Sequence, residues 1–520
     1  MVARHSAQQI LVIGLDMGDG RLIHEWSREG YLPVFSSLMT SGTWASLETT
    51  AEILHVSAWP SLYTGTFPGK HGVYYTFQPM PGQQNVRRFG PDQYGQPPVW
   101  QLLSEAGKRC IVFDAPYTHP QRNFSGIQIF EWGTWAWYWR PMSVPPKLMR
   151  QMSAVCGAYP VGFEANQIGL GELDVADLHQ RLIRAAKAKG KAARWLMGQT
   201  AWDLLWVVFG ETHPAAHYFW SNQHTNLTDS ETECSSGFLR DIYQAIDHAL
   251  GEIIEGLGDN ISLYIISGDG VGPNYGGWHL LPQVLERLAY MATSNSSQTN
   301  VTTPLMDEYS HRDFLKILRD LVPSSVRQTF SHYIPAGWRD SLMSRWMTAN
   351  IDWSRTRAFC LPTDLEGCIR LNLIGREPQG IVRPGVEYEQ VCSELIAALH
   401  QLVNPRTGRA AVRKVVRIDE AFPGERRDFL PDLIVLWSEE TKITGVRSPT
   451  FGLLEAPSPD LRRGTHHPPG FIIANGPSVQ SGFTMTGGHI VDFAPTLLAE
   501  FGLLPPQHMD GHVWSDLLAI

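Results

Sequence analysis

ILVIGLD, residues 10–16, is an apolar run that ends in a carboxylate. Apolar and glycine residues bounded by polar sequence predict a buried parallel strand. Ligands of open α/β sheets collect just beyond the carboxyl ends of the strands, so such a strand delivers Asp16 to the place where chemistry is usually done. An isolated Asp at a strand end reads equally well as a helix N-cap. Asp16 is not isolated. RCIVFDAP (109–116), DLLWVVFGETH (203–213), SLYIISGDG (262–270), DLIVLW (432–437) and GFIIANGP (470–477) are further apolar strands, and most run out into Asp, His or Gly-rich turns.

Helical stretches separate these strands. DGRLIHEWSREGYLPVFSSLMTSG predicts helix, turn, helix, closed by Gly30 and Gly42. Residues 99–105 and 238–257 carry helical periodicity, and DFAPTLLAEFGL (492–503) reads as a helix capped by Asp492. Strands alternating with helices imply an α/β fold, a doubly wound, mostly parallel sheet with helices on both faces. At 520 residues the chain exceeds one simple core. Residues 120–200 and 290–420 read as helical cap or insertion segments within a single domain spanning 1–520, with SNSSQTN (294–300) the linker-like stretch.

Composition narrows the function. Hydrophobic residues at 43% and charged residues at 18% describe an ordinary globular protein. A net charge of −9 argues against a nucleic-acid polymer as partner, and an anionic substrate would need positive charge supplied locally by metal ions or Arg. The six cysteines (110, 156, 234, 360, 368, 392) form no CxxC pair and read as buried, reduced thiols. No apolar run reaches the length of a signal-peptide core or a membrane span, so the expected setting is cytoplasmic, with no membrane partner. The oligomeric state is not encoded in any feature of the sequence.

GLD at 14–16, TGTFPGKHGV at 64–73, GTHHPPGFIIANGP at 464–477 and the closing DFAPTLLAEFGLLPPQHMDGHVW resemble the type I phosphodiesterase/nucleotide pyrophosphatase branch of the alkaline phosphatase superfamily. The resemblance runs from residue 10 to 514 and is weakest over 120–200 and 290–420. It implies an alkaline phosphatase-like fold and two divalent metals at the strand ends. One metal takes the Asp after the first strand, an Asp-His pair in an Asp-His-Gly turn, and a Ser or Thr nucleophile nine residues before Thr-Gly. The other takes both ends of an Asp-x3-His stretch and a late His. Paired cations make the hydroxyl an alkoxide and neutralise the phosphoryl oxygens.

Three of these seven positions are kept here: Asp16, His217 and His466. Four depart. His55 stands at the nucleophile position, His213 replaces the Asp of Asp-x3-His, and Gly268-Asp269 replaces Asp-His. Three of the four changes end on residue types that bind metals, which favours a rebuilt centre of Asp16, His55, His213, His217, Asp269 and His466 over decay. Imidazole and carboxylate without thiolate suit one or two divalent ions, Zn²⁺ first, with Fe²⁺ or Mn²⁺ as alternatives.

His55 and Asp269 are then candidates for acid, base or nucleophile as well as ligands, a phosphohistidine on His55 being one route. The expected activity is hydrolysis of a phosphodiester or related small-molecule ester by metal-activated water. A non-hydrolytic Fe or Mn enzyme and a non-catalytic binding protein are the alternatives.

Lys70 and His71 are candidate phosphate-side groups, although a Gly/Pro loop uses such residues equally to fix its turn. Trp135, within a run that includes Trp132, Trp137 and Trp139, is a candidate stacking surface for substrate, against a packing role. Glu211 is a candidate partner for the neighbouring imidazoles, and His279 follows the Gly-Asp-Gly turn. Asp114 and His119 read as structural.

Overall fold

The computed structural model describes residues 9–90, 93–121, 123–134, 141–162, 174–221, 237–258, 260–293 and 351–518. The expected first strand is β1 (Gln9–Leu15), followed by α1 (Gly20–Arg28), α2 (Pro33–Ser41), β2 (Thr43–Leu47) and α3 (Ala58–Thr64). Next come β3 (Cys110–Phe113), β4 (Gly126–Phe130), β5 (Met142–Val144), α4 (Val175–Met197) and β6 (Leu204–Phe209). α5 (Thr212–Phe219), α6 (Phe238–Ile254), β7 (Ile261–Ser267) and β8 (Gly270–Pro273) complete the first half. The second half contains β9 (Ala358–Cys360), β10 (Gly367–Leu371), α7 (Val386–His400), β11 (Val412–Arg417), β12 (Leu433–Trp437), β13 (Gly464–His467), β14 (Gly470–Asn475), β15 (Phe483–Thr484) and α8 (Phe493–Glu500).

Nine strands form the main sheet in the order β15-β2-β14-β7-β1-β6-β3-β4-β5. β1 lies at its centre, parallel to β6 and β7. Only β14 and β5 run antiparallel to their neighbours. Alternate side chains of β1 enter opposite cores, as the pleat requires: Leu11, Ile13 and Leu15 on one face, Ile10 and Val12 on the other. Both faces are covered, which is why these strands read as continuous apolar runs. The doubly wound sheet therefore stands, with the mostly parallel order inferred from the sequence.

Two expectations change. The stretch 120–200 contributes β4 and β5 to the sheet, and α4 buries Leu178, Leu182, Ala186, Ala193 and Leu196 in the main core. α4 packs on α6 through small residues; a Cβ on Gly190 would stand 2.8 Å from the Cβ of Ala249. A helix that packs through Ala and Gly carries a weak apolar stripe and so reads as polar. Likewise DLIVLW is the strand β12, but it joins a separate four-stranded antiparallel sheet, β9-β10-β12-β11. That sheet and α7 form a second lobe with its own core. The linker-like 294–300, and residues 301–350 of the expected cap segment 290–420, lie outside the described residues.

Candidate metal centre

Three connections out of the main sheet build the site. Leaving β1, Asp16 donates its backbone N–H to Phe209 at the end of β6, while Thr212 Oγ1 donates to the Asp16 carbonyl at 2.6 Å. The two strand exits are thereby tied together. Gly14 is required just before: a Cβ there would lie 2.6 Å from the Trp59 ring, and that ring must approach so that its indole N–H reaches Asp16 Oδ1 at 2.7 Å.

α5 begins at the β6 exit and places His213 and His217 one turn apart on one face. His217 Nδ1 donates to the Gly464 carbonyl at 2.8 Å, and Arg463 N–H donates back to the His217 carbonyl at 2.7 Å. Gly464 permits this contact, since a Cβ there would meet the Ala216 carbonyl at 2.3 Å. β13 pairs antiparallel with β8 and carries His466 in from the third direction.

Nε2 of His213 lies 3.1 Å from Nε2 of His217 and 3.2 Å from Nε2 of His466, and all three atoms lie within 4.8 Å of one another. The outer nitrogens fix the tautomers. His217 Nδ1–H is spent on Gly464, and His466 Nδ1–H on Asp269 Oδ2 at 2.5 Å, so both Nε2 atoms present bare lone pairs. A single proton on His213 Nε2 can serve only one of its two neighbours. If that proton goes to His466, the donor left for His217 Nε2 is Arg462 Nη1 at 3.4 Å; if His213 carries its proton on Nδ1 instead, three lone pairs face one another, an arrangement that a shared cation relieves.

Nitrogens bound to one tetrahedral zinc at 2.0–2.1 Å would be about 3.3 Å apart, so spacing and donor type both fit. Burial keeps the cluster neutral. It lowers the His213 pKa to about 4, and it holds His217 and His466 well below the ordinary imidazole range, helped by the charges of Arg462 and His55 respectively. Neutral imidazole is the form that binds metal.

The other three residues of the sequence-derived set lie beside this cluster in different roles. Asp269 faces His466 Nδ1, the position of a carboxylate that orients a metal-bound imidazole. Asp16 is desolvated, which raises its pKa, and one of its oxygens is occupied by Trp59. His55 stacks at 4.6 Å from His466, yet neither of its nitrogens is available. Nδ1 lies 2.9 and 3.0 Å from the two oxygens of Glu366, and Nε2 lies 3.4 Å from Asp364 Oδ1. Burial opposes charge on this ring, but the two carboxylates prevail and raise its pKa to about 10. With Nδ1 turned to Glu366 and Nε2 facing Asp364, both from the second lobe, His55 in this arrangement points neither nitrogen at the imidazole cluster, in contrast to the expectation of a ligand or nucleophile there.

Asp364, Glu366 and Arg462 are the site residues that sequence reasoning missed. The first two lie in a loop just before β10. Arg462 Nη1 donates to Asp364 Oδ2 at 2.9 Å and lies 3.4 Å from His217 Nε2, while its Nη2 binds Asp460 at 2.7 Å. The sequence signal was Thr-Asp-Leu-Glu-Gly, two carboxylates in a turn, which usually means a solvated surface.

Lys70 and His71 are used elsewhere. Lys70 pairs with Asp510 at 2.6 Å and donates to the His508 carbonyl. His71 is fully buried, bonded to Ser61 Oγ and to the Val73 N–H, and its pKa is lowered to about 3 by burial. Both fix the Gly/Pro loop. Trp135 lies outside the described residues, whereas Trp132 is packed in the main core. Glu211 accepts from Tyr159, and His279 approaches the Ala456 carbonyl. Asp114 pairs with the buried Lys189 and accepts from the N–H groups of Trp132 and Gly133, a structural role.

A cavity of about 60 Å³ touches the cluster at His466 and is lined also by Glu366, Tyr275, Trp437 and Arg413. Among the described residues, no helix is long and apolar enough to cross a membrane.

A family model for type I phosphodiesterase / nucleotide pyrophosphatase matches residues 10–468, from β1 to just beyond His466. Among curated proteins none matches the sequence. Murine ectonucleotide pyrophosphatase / phosphodiesterase 5 superposes with a TM-score of 0.49 at 13% identity, covering 98% of this chain and 100% of that one. Its inactive form in complex with AMP gives 0.48 at 13% identity, with the same coverage. Phosphonoacetate hydrolase from Sinorhizobium meliloti 1021, in complex with phosphonoacetate, gives 0.49 at 12% identity and covers 94% of both chains.

Proposed function

The chain belongs to the type I phosphodiesterase/nucleotide pyrophosphatase family, and we propose that it is a hydrolase of small phosphodiesters or related esters with one divalent cation at His213, His217 and His466. The observation that carries this reading is the convergence of three neutral imidazole nitrogens, two of them with their outer N–H groups already committed. A cation bound there, zinc in the first instance, supplies Lewis acidity toward a phosphoryl oxygen and acidifies water.

The chain's own residues set the conditions for this. Asp269 keeps the His466 proton on Nδ1, and Gly464 does the same for His217. Arg462 brings fixed positive charge to the edge of the cluster, balanced by Asp364 and Asp460. The small cavity between Tyr275, Trp437 and Arg413 gives a leaving group a place beside His466.

A covalent phosphoenzyme has no part in this scheme. His55 is paired on both ring nitrogens. Ser57 donates to the Leu54 carbonyl and lies 2.9 Å from the Thr50 hydroxyl, and Ser61 is bonded to His71. A second metal is not needed either, since Gly268 offers no ligand and Asp269 is turned to His466.

The test is metal analysis of protein purified without added metal, followed by turnover of a bis-aryl phosphate. Zinc near one equivalent, with hydrolysis lost in His213→Ala, supports the reading. Protein that takes up no cation and turns over no ester would sink it.

A further inference from the structure

Among the described residues, β8 and β13 pair only with each other, and a two-stranded sheet is marginal unless something else ties it down. This pair carries His466, whose register partner across it is Val271. Both backbone groups of Val271 are taken by the start of α1. Its N–H donates to Asp19 Oδ2 at 3.2 Å, and its carbonyl accepts from Arg21 Nη2 at 2.9 Å. The same Arg21 nitrogen lies 2.7 Å from Asp19 Oδ2, so one carboxylate and one guanidinium together stand where a third strand would.

Holding the helix end is a separate task. Asp19 Oδ1 accepts from the N–H groups of Arg21 and Leu22 and so caps α1, which needs neither a charge nor Val271. The Arg21 side chain is 65% exposed, and an exposed ion pair by itself adds little to stability. What sets this pair apart is its grip on Val271. The Val271 side chain is buried against Met17 and Ala216, the sequence neighbours of Asp16 and His217. Gly270 keeps the approach open, since a Cβ there would stand 3.0 Å from Asp19 Oδ2.

Building on the three-imidazole reading, we propose that Asp19 and Arg21 are positioning residues for the cation: by fixing Val271 they fix where His466 Nε2 stands relative to His213 and His217. The latter two share α5, whereas His466 arrives on another element and is the imidazole that a slack β8–β13 pair would misplace. Such constellations tolerate displacements of only about 0.5 Å.

The experiment uses the full chain, with Zn²⁺ and Co²⁺ as probes, and compares wild type with Arg21→Ala, Arg21→Lys, Asp19→Asn, Arg28→Ala and His466→Ala. Affinity is read by competition with a chelating dye, coordination by the visible bands of the Co²⁺ form, and stability by urea titration. Arg21→Ala is expected to weaken Zn²⁺ by about 10-fold and to shift the Co²⁺ bands. Asp19→Asn, which can still cap α1, should do the same. Arg21→Lys, which restores the charge and a donor, should bring the bands back toward wild type. Arg28→Ala, in the last turn of α1, should change neither affinity nor bands.

Affinity and bands unchanged in Arg21→Ala and Asp19→Asn, or a lowered urea midpoint with unchanged bands, would overturn the positioning role while leaving the imidazole centre intact. Failure of wild type to bind either ion, or binding unaltered by His466→Ala, would overturn the imidazole centre itself.

Discussion

The two sides of the strand-end site handle desolvated polar groups in opposite ways. On the side of His213, His217 and His466, the outer nitrogens of His217 and His466 are satisfied and the inner nitrogens of all three converge within 4.8 Å. On the side of Asp16, His55 and Asp269, the protein has supplied partners of its own: Trp59, Glu366 with Asp364, and His466. One side leaves three nitrogens turned toward one another, as a bound cation would use them. The other is bonded within the protein, although the sequence resemblance pointed to all six positions as metal or nucleophile places. Membership of a motif therefore does not settle what a side chain does; the state of its remaining hydrogen-bond capacity does.

This contrast is sharpest under mutation. His213→Ala removes the nitrogen common to both short contacts and should abolish stoichiometric metal uptake, read by elemental analysis after gel filtration. Retention of a full equivalent would erase the difference between the two sides. Glu366→Ala should leave metal stoichiometry alone and instead lower stability by about 3 kcal/mol in denaturant titrations. That is the low end for a broken buried ion pair, because an imidazole can shed its proton where a guanidinium cannot.

Asp269→Asn falls between the sides. It keeps the shape but weakens the hold on His466, and should reduce metal affinity by about 10- to 100-fold, measured by dye competition.

The smallest effect concerns the platform behind the clamp. Strand β10, which follows Glu366 directly, is braced by Asp432, which accepts from Leu371 N–H and pairs with Arg376 at 2.7 Å. Burial works against the Asp432 charge, but Arg376 prevails and lowers its pKa to about 2. A folded-state pKa below the unfolded value of about 3.9 means that the contribution is present above pH 4 and lost as pH falls toward 2. The difference corresponds to about 2.6 kcal/mol. It should appear as a steeper acid limb in the stability profile of wild type than of Asp432→Asn.

Much of this was legible in the sequence, for identifiable reasons. ILVIGLD and LLWVVF announced buried strands because both faces of the sheet are covered, and the four-residue step from His213 to His217 announced a shared helix face. DLIVLW announced burial equally well but not which sheet would bury it, since an apolar run carries no address. Asp492 stands at the N-cap of α8 as expected, but its carboxylate makes no capping bond there: it closes a capping box with His489 in the preceding turn and accepts from His512 N–H and the Trp514 indole. The role of His55 could not be read at all. It depends on Asp364 and Glu366, some 300 residues away in sequence, which meet it only when the second lobe docks.

Gly268 limits what this strand exit can carry. Its backbone passes so close to α3 that a Cβ would stand 2.9 Å from the Cβ of Ala58, and its carbonyl is held by Thr49 Oγ1. Reinstating an aspartate at 268 would first require room at residue 58, by a change that brings no benefit until the second change follows. Aspartate at 268 in this chain should therefore be tolerated better beside Ala58→Gly than alone, a coupling between two positions that share no hydrogen bond.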